Sequence, residues 1–541
     1  MTASVAETGR SAPSVTGRRR SAGLAVVCTG MLLLGLDNSI LNVALPSLQQ
    51  DPHLGIDTAG LQWVTDAYPL ALAGLVLACG RWGDRYGRRR AFMLGMAVCG
   101  VASVFGAAGV TPTQLTAARA GMGLGGALIM PATLSLTVDL FRGHPRSRTA
   151  LATWTASASI GLVLGPALGG WLLEHFSWRS GFWINVPVCA VALLFARPLL
   201  PDSKDRGGRP LDPAGTVLGI LALTTAVYGI ITAPHRGWAS TGTVSVLLLG
   251  ALLFALYARR ERRLPVPSLP LDLLRGRHYA GAVVVLVLLF FTLAGMGFVV
   301  VLYLQGVLGY TPLQAGLRML PCAAAAIVGS GCALLLPGRF GPRVPVVSGG
   351  GLAFLGYVVL TTTDAGSGYG RALTALTLVG LGLGLASLPC TEIVMNAAHP
   401  NHAGTAAAMN DTTRAVGSSL GIAVLGSVVN SVYTGRMTER GPHFPPGTPG
   451  TTSEQTIGAL PAVSTLPPEQ AAPLIAAARD AFVHAMTVAA VPAAGVAATA
   501  GLTAWFLLRS ADPMVAAANQ REPLADSDRI RAVHSAKEPA V

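Results

Sequence analysis

Apolar runs long enough to cross a bilayer recur along nearly the whole chain, and they constrain its fold more than any other feature. A helix of roughly 20 apolar residues spans the hydrocarbon core. Only segments that satisfy their own backbone hydrogen bonds can do so, which selects helices. Fourteen runs of this kind can be marked, at about 22–46, 61–80, 91–110, 114–139, 149–173, 181–199, 213–233, 242–258, 279–304, 314–336, 345–362, 372–396, 405–431 and 480–508. Composition agrees, since 52% of the 541 residues are hydrophobic and 12% are charged, against roughly 25% charged in soluble domains. The expectation is an all-α integral membrane protein with the lipid bilayer as its main solvent. The 65 glycines suit close helix packing in lipid.

Basic residues orient the spans. With the N-terminus placed in the cytoplasm, 29 of the 38 Lys and Arg residues fall in inside segments, six fall outside, and Arg119, Arg318 and Arg414 fall within spans. Such a bias is the positive-inside pattern, and an even number of spans puts both termini on the cytoplasmic side. It also accounts for the net charge of +13 without a nucleic-acid partner. The run after Arg18–Arg20 is read as a retained first helix, not a cleaved signal. Residues 1–21 form a cytoplasmic tail, 432–478 a long outside loop rich in Pro, Thr and Gly, and 509–541 a disordered cytoplasmic tail.

Little points to enzyme chemistry. The seven cysteines all lie in apolar runs, without a CxxC, and read as small packing residues. No HExxH, GxxxxGK[ST] or GxSxG stretch occurs. No cofactor and no metal are expected.

The turn at 80–90, GRWGDRYGRRR, sets five arginines and one aspartate between two apolar spans. Its arginines suit an anionic cytoplasmic leaflet. A decayed copy, GRFGPR, stands at 338–343, an offset of 258. Asp66 precedes Pro69 by three residues as Arg318 precedes Pro321, an offset of 252, and Gly161 and Gly165 have counterparts in Gly417 and Gly421, an offset of 256. Three ordered matches predict two pseudo-symmetric six-helix bundles, 22–199 and 279–508, with 213–258 as two inserted linker helices. Parallel halves of this kind are a transporter plan, with the substrate site between them.

Residues Gly80, Asp84, Arg85, Gly87, Arg88 and Arg89 resemble the loop signature between the second and third helices of the major facilitator superfamily. LDNSILNVALP at 36–46 resembles the first-helix signature of its fourteen-helix drug:proton antiporters, the EmrB/QacA-like group. RAGMGLGGA at 119–127 resembles the fourth-helix signature, with Met122 where that group usually has Gln. GLVLGPALGG at 161–170, with Gly161, Gly165, Pro166, Gly169 and Gly170, is similar to the fifth-helix motif associated with antiport, and WRSGFWINVP at 178–187 is also typical of the group. The resemblance covers about 22–508. It implies that Asp84 faces the N-terminus of the helix beginning near 405, where a carboxylate interacts favourably with the helix dipole, as a latch made in one transport state and broken in another. It also implies that the fifth-helix motif bends to work the outer gate.

Ionisable residues inside spans cost roughly 3 kcal/mol or more at the bilayer centre and are functional candidates by default. Asp37, Asp66 and Arg119 lie on three helices of the first half. Helices one and four are neighbours in the fold that the chain resembles, so Asp37 is expected to pair with Arg119 and to exchange that partner for a proton; a static pair is the alternative. Asp66 is a second proton-coupling candidate, or a site for a cationic substrate. In the second half Arg318, Glu392, Asp411 and Arg414 are cavity candidates. Asp411 and Arg414 share a helix face and are expected to pair with each other.

These readings converge on a proton-coupled exporter of lipophilic drugs or antibiotics, cationic ones among them, working by alternating access. It is expected to act as a monomer in a bacterial plasma membrane, its partners being a small-molecule substrate and protons. An arginine excess of 36 against two lysines suggests a GC-rich bacterial genome. The alternatives are a proton-coupled importer on the same fold, a membrane-embedded enzyme and a channel.

Overall fold

The structure, a computed structural model, describes residues 17–141, 144–203, 212–264, 276–335, 341–396, 403–440 and 468–508. Among them every regular element is a helix. In order these are α1 (Gly17–Gln49), α2 (Thr58–Tyr86), α3 (Arg88–Ala107), α4 (Pro112–Leu140) and α5 (Ser147–His175). The pieces Ser180–Trp183 and Asn185–Leu199 make one rod, α6 (Ser180–Leu199). Then come α7 (Pro213–Arg236), α8 (Thr241–Glu261), and α9 (Arg277–Leu302), which runs on as a π-helical turn, Tyr303–Val307. The last five are α10 (Pro312–Leu335), α11 (Arg343–Thr361), α12 (Tyr369–Asn396), α13 (Ala403–Arg440) and α14 (Pro468–Leu507). Among the described residues thirteen helices are long and apolar enough to cross a membrane.

Several start points are written locally. Thr111 and Asp212 cap α4 and α7 by accepting from the amides of Gln114 and Gly215, and each is followed by proline at the first helical position. Asp212 also takes both arms of Arg260 from α8, at 2.6 and 3.2 Å. The Arg260 guanidinium, against some burial, holds the Asp212 carboxyl below the usual carboxylate range. This clasp is therefore present above the ordinary carboxylate range and lost as pH falls through the depressed value.

Two expectations change. The 80–90 segment is almost no loop: α2 runs to Tyr86 and α3 starts at Arg88, so one residue, Gly87, turns the chain. Its φ of 125° favours glycine. Gly87→Ala is expected to cost about 1–3 kcal/mol, seen as a lower melting temperature of the purified protein. The supposed loop 432–478 is partly helical, because α13 continues to Arg440 and α14 begins at Pro468. Tyr433 and Met437 form an i,i+4 stripe, fully covered, and Leu474, Ala478 and Phe482 form another. Tyr433 packs edge-on to Phe482, and Arg440 reaches Asp480 at 2.6 Å. The expected tail 1–21 is helical from Gly17, where α1 begins; residues 1–16, the remainder of that loop, the tail 509–541 and residues 338–340 of the decayed repeat lie outside the described residues.

Within the first set of helices α1 packs on α5 and α6, α4 on α2 and α3, and α3 on α6. Within the last set α9 packs on α13 and α14, α12 on α10 and α11, and α11 on α14. Between the sets α2 meets α13 and α5 meets α10, while α7 lies against both α2 and α13. Large apolar side chains such as Val101, Leu194 and Leu334 stand exposed on the perimeter, as a surface facing lipid would have.

Candidate functional site

At the heart of the first set, Arg119 of α4 donates from Nη1 to Asp37 Oδ2 of α1 at 2.5 Å. Arg119 is 1% exposed and Asp37 5%. Asn185 of α6 donates to the other carboxylate oxygen at 3.0 Å and also reaches Ser103 Oγ at 3.3 Å. The guanidinium lies 4.7 Å from the centre of the Tyr68 ring, a favourable cation–π placement. Met122, where the resembled group has Gln, offers its sulfur to the same Nη1 at 3.9 Å, a weak acceptor. Arg119 Nε has no partner among the described residues. A void of about 10 Å³ lies beside the pair, lined by Trp178 and Phe182, close to the space one water needs. The expected pairing of Asp37 with Arg119 is therefore present. Asn185 was not singled out, although a polar residue entering an apolar helix at the end of WRSGFWIN was the available signal.

Asp66 is not part of this group. Wholly buried, it lies beside Ser419 of α13 in the interface between the two sets. One turn earlier Gln62 donates to the carbonyls of Ile422 and Ala423 at 3.3 and 3.5 Å.

Between the two sets lies a cavity of about 500 Å³, lined by both. Its wall is mostly apolar, with Met31, Met130, Phe290 and Met319, and carries a few polar groups, among them Asn38, Asn42 and Ser418. This size and lining are those of small-molecule sites. Asp411 and Arg414 line it, whereas Arg318 and Glu392 do not. Arg318 instead rests on Tyr310, 3.8 Å from the ring centre, and Glu392 is exposed on α12. Asp411 and Arg414 feel each other's charge but do not form the direct ion pair expected. Asp411 accepts from Asn410 at 3.3 Å, and Arg414 donates to Thr391 Oγ1 at 2.9 Å. Side-chain direction, which spacing alone does not fix, separates them.

The two sets touch at the end remote from the chain termini. There a side chain at Gly170 would collide with the backbone of Pro312 and Leu313, and one at Gly316 with that of Pro166. Gln305 donates to the Val43 carbonyl at 2.9 Å across the same seam. Gly161, Gly165 and Gly169 have a different job, seating α5 on Leu32–Leu36, Ser39 and Ile40 of α1. In the second set Gly417 and Gly421 seat α13 on Val287 and Phe291 of α9 in the same way. The fifth-helix motif therefore packs α5 within its own set and seals it against the other. Gly170→Leu is expected to wedge this seam at an overpacking cost of about 1–3 kcal/mol. In a background lacking the native cysteines, Asn42→Cys in the cavity wall should then react faster with an impermeant maleimide added at that end.

At the termini end, Arg88 bridges Asp84 at 2.9 Å and Asp139 of α4 at 2.7 Å. Arg89 donates to the carbonyls of Arg197 and Leu200, both at 3.3 Å, and the Arg88 amide donates to Ser203 O at 3.1 Å. The arginine-rich turn thus ties α2 and α3 to the ends of α4 and α6. Gly80 lies against Pro131 of α4, and Arg85 lies over the neighbouring Tyr86 ring.

A family model described as the Major Facilitator Superfamily matches residues 27–422. The chain is 36% identical over 410 residues to the multidrug resistance protein Stp of Mycobacterium tuberculosis, covering 75% of each chain. It is 33% identical to the tetracenomycin C resistance and export protein of Streptomyces glaucescens, covering 91% of this chain and 92% of the other. It is 30% identical to the multidrug efflux pump LfrA of Mycolicibacterium smegmatis, covering 92% and 96%. Among solved structures, a bacterial homologue of the human lysosomal transporter Spinster, inward-facing and unoccupied, superposes with a TM-score of 0.63 at 17% identity, covering 91% and 98%.

Proposed function

The chain belongs to the major facilitator superfamily, and on that premise we propose that it exports lipophilic drug-like molecules or antibiotics in exchange for protons. The observation that carries this reading is the apolar cavity between two sets of helices, sealed at one end by the fifth-helix motif. A binding site closed on one side is what alternating access requires. Relatives named as multidrug resistance or export proteins support efflux, and a transporter rather than an enzyme. Packing partners in the first six helices recur eight helices later, which supports fourteen spans arranged as two six-helix halves with α7 and α8 inserted. The basic-residue bias favours cytoplasmic termini, which makes the described state inward-facing.

Proton coupling is assigned to Asp37. Its carboxylate sits outside the cavity lining, one residue before Asn38, which is inside it. Protonation of Asp37 would release Arg119 and Asn185, shifting α1 against α4 and α6. In the described state Arg88 holds Asp84; in the outward-facing state Asp84 is free to cap α13. Everted vesicles with an acidic interior should accumulate a lipophilic dye and release it when an ionophore collapses the gradient. Flux in the opposite direction would favour the importer, and saturation-free flux indifferent to pH a channel.

A further inference from the structure

Arg414 and Asp411 are the only charged side chains on the cavity wall among the described residues, and although each feels the other's charge they make no direct ion pair. Arg414 is oriented from two sides. Its Nη2 donates to Thr391 Oγ1 at 2.9 Å, and its guanidinium lies 5.0 Å from the centre of the Phe290 ring. Its Nε–H has no partner among the described residues. Tyr357, also in the cavity lining, sets its hydroxyl beside Thr292. A guanidinium held in the membrane interior with no direct ion pair is costly, and an anionic acceptor arriving in the cavity relieves that cost. Charge-assisted hydrogen bonds to guanidinium are among the strong ones, and the planar fork suits an oxyanion.

We infer that Arg414 is the recognition point for an acidic oxygen on the transported molecule: a phenolate, enolate or carboxylate carried on a lipophilic, ring-containing body. Phe290 and the methionines of the wall take the body, methionine adapting to varied shapes, while Arg414 takes the acidic edge. Asp411, three residues before Arg414 on the same helix, repels a second anionic group, so the ligand carries one such oxygen and is not a polyanion. The inference rests on the exporter reading and narrows its substrate class away from simple cations.

Three probes that share one ring system test it: anthracene-9-carboxylate, 9-methylanthracene and 9-(aminomethyl)anthracene. Their binding to the purified full chain in detergent is measured by fluorescence at equilibrium, with no gradient. The wild type should bind the carboxylate about tenfold or more tighter than the methyl or amine probes. Arg414→Gln should abolish that preference with little change for 9-methylanthracene, and Arg414→Lys should retain part of it. Equal binding of the three probes by the wild type would overturn the inference, as would an unchanged preference in Arg414→Gln. An unfolded Arg414→Gln protein leaves the wild-type ranking and Arg414→Lys to decide. Proton-driven transport in vesicles is a separate readout. Its loss with the preference intact refutes the exporter reading alone, and the reverse pattern refutes only the acidic-oxygen site.

Discussion

Asp37→Asn is expected to reduce gradient-driven export to the level of protein-free vesicles while substrate still binds. Asparagine keeps the shape and can still accept from Arg119, but it carries no exchangeable proton. The substituted side chain lies outside the cavity lining, so equilibrium binding of a lipophilic probe should change little. The measurement is drug accumulation in proteoliposomes under an imposed pH gradient, beside probe binding in detergent. Normal accumulation by the Asn variant would remove Asp37 from the coupling role and leave Asp66 as the buried acid to test. Asp37→Glu, which restores the carboxyl, should recover part of the activity.

The second large effect is on folding. Arg119→Ala should destabilise the protein by about 3–5 kcal/mol, the range for removing one partner of a buried ion pair. It strands Asp37, leaves Asn185 as that carboxylate's remaining donor, and opens a hole beside Tyr68. The combination Asp37→Asn with Arg119→Gln carries no buried charge and should recover much of the loss, without recovering transport. Unfolding of the purified proteins in detergent reads the first part, and vesicle transport the second. If the double variant is no more stable than Arg119→Ala, the pair is not energetically coupled, and the exchange of a proton for the guanidinium loses its basis.

Glycine shows how packing turns sequence into mechanism. At Gly161 and Gly165 a missing side chain lets α5 lie on the backbone of α1, and five residues later Gly170 does the same for α10 of the other set. The first contact lies within one half. The second crosses the seam and, on the proposed alternating-access mechanism, is the one that breaks when the remote end opens. One motif therefore serves an interface within its own set and another across the seam on successive turns of a single helix. Pro166, between them, also lines the cavity, so a bend there would reach both the seam and the substrate.

What the sequence determined by itself was the membrane-spanning helical class and the family signatures, along with the Asp37–Arg119 pairing expected from the resemblance. Apolar run length is a property of contiguous residues, and a charge stranded in such a run needs a partner whatever the details. Helix starts were legible to within a few residues, the expected 213 matching α7 and the expected 114 falling two residues inside α4. Helical segments were missed at 432–440 and 468–478, where Thr and Pro masked stripes that become apolar only against each other. Tertiary structure alone decided that Asp66 faces α13 between the halves rather than Asp37, that Arg318 rests on Tyr310 outside the cavity, and that Asp411 and Arg414 stay apart. The reason is geometric: spacing along a helix sets which face a residue shares, but the rotamer it adopts and the helix it meets depend on neighbours hundreds of residues away.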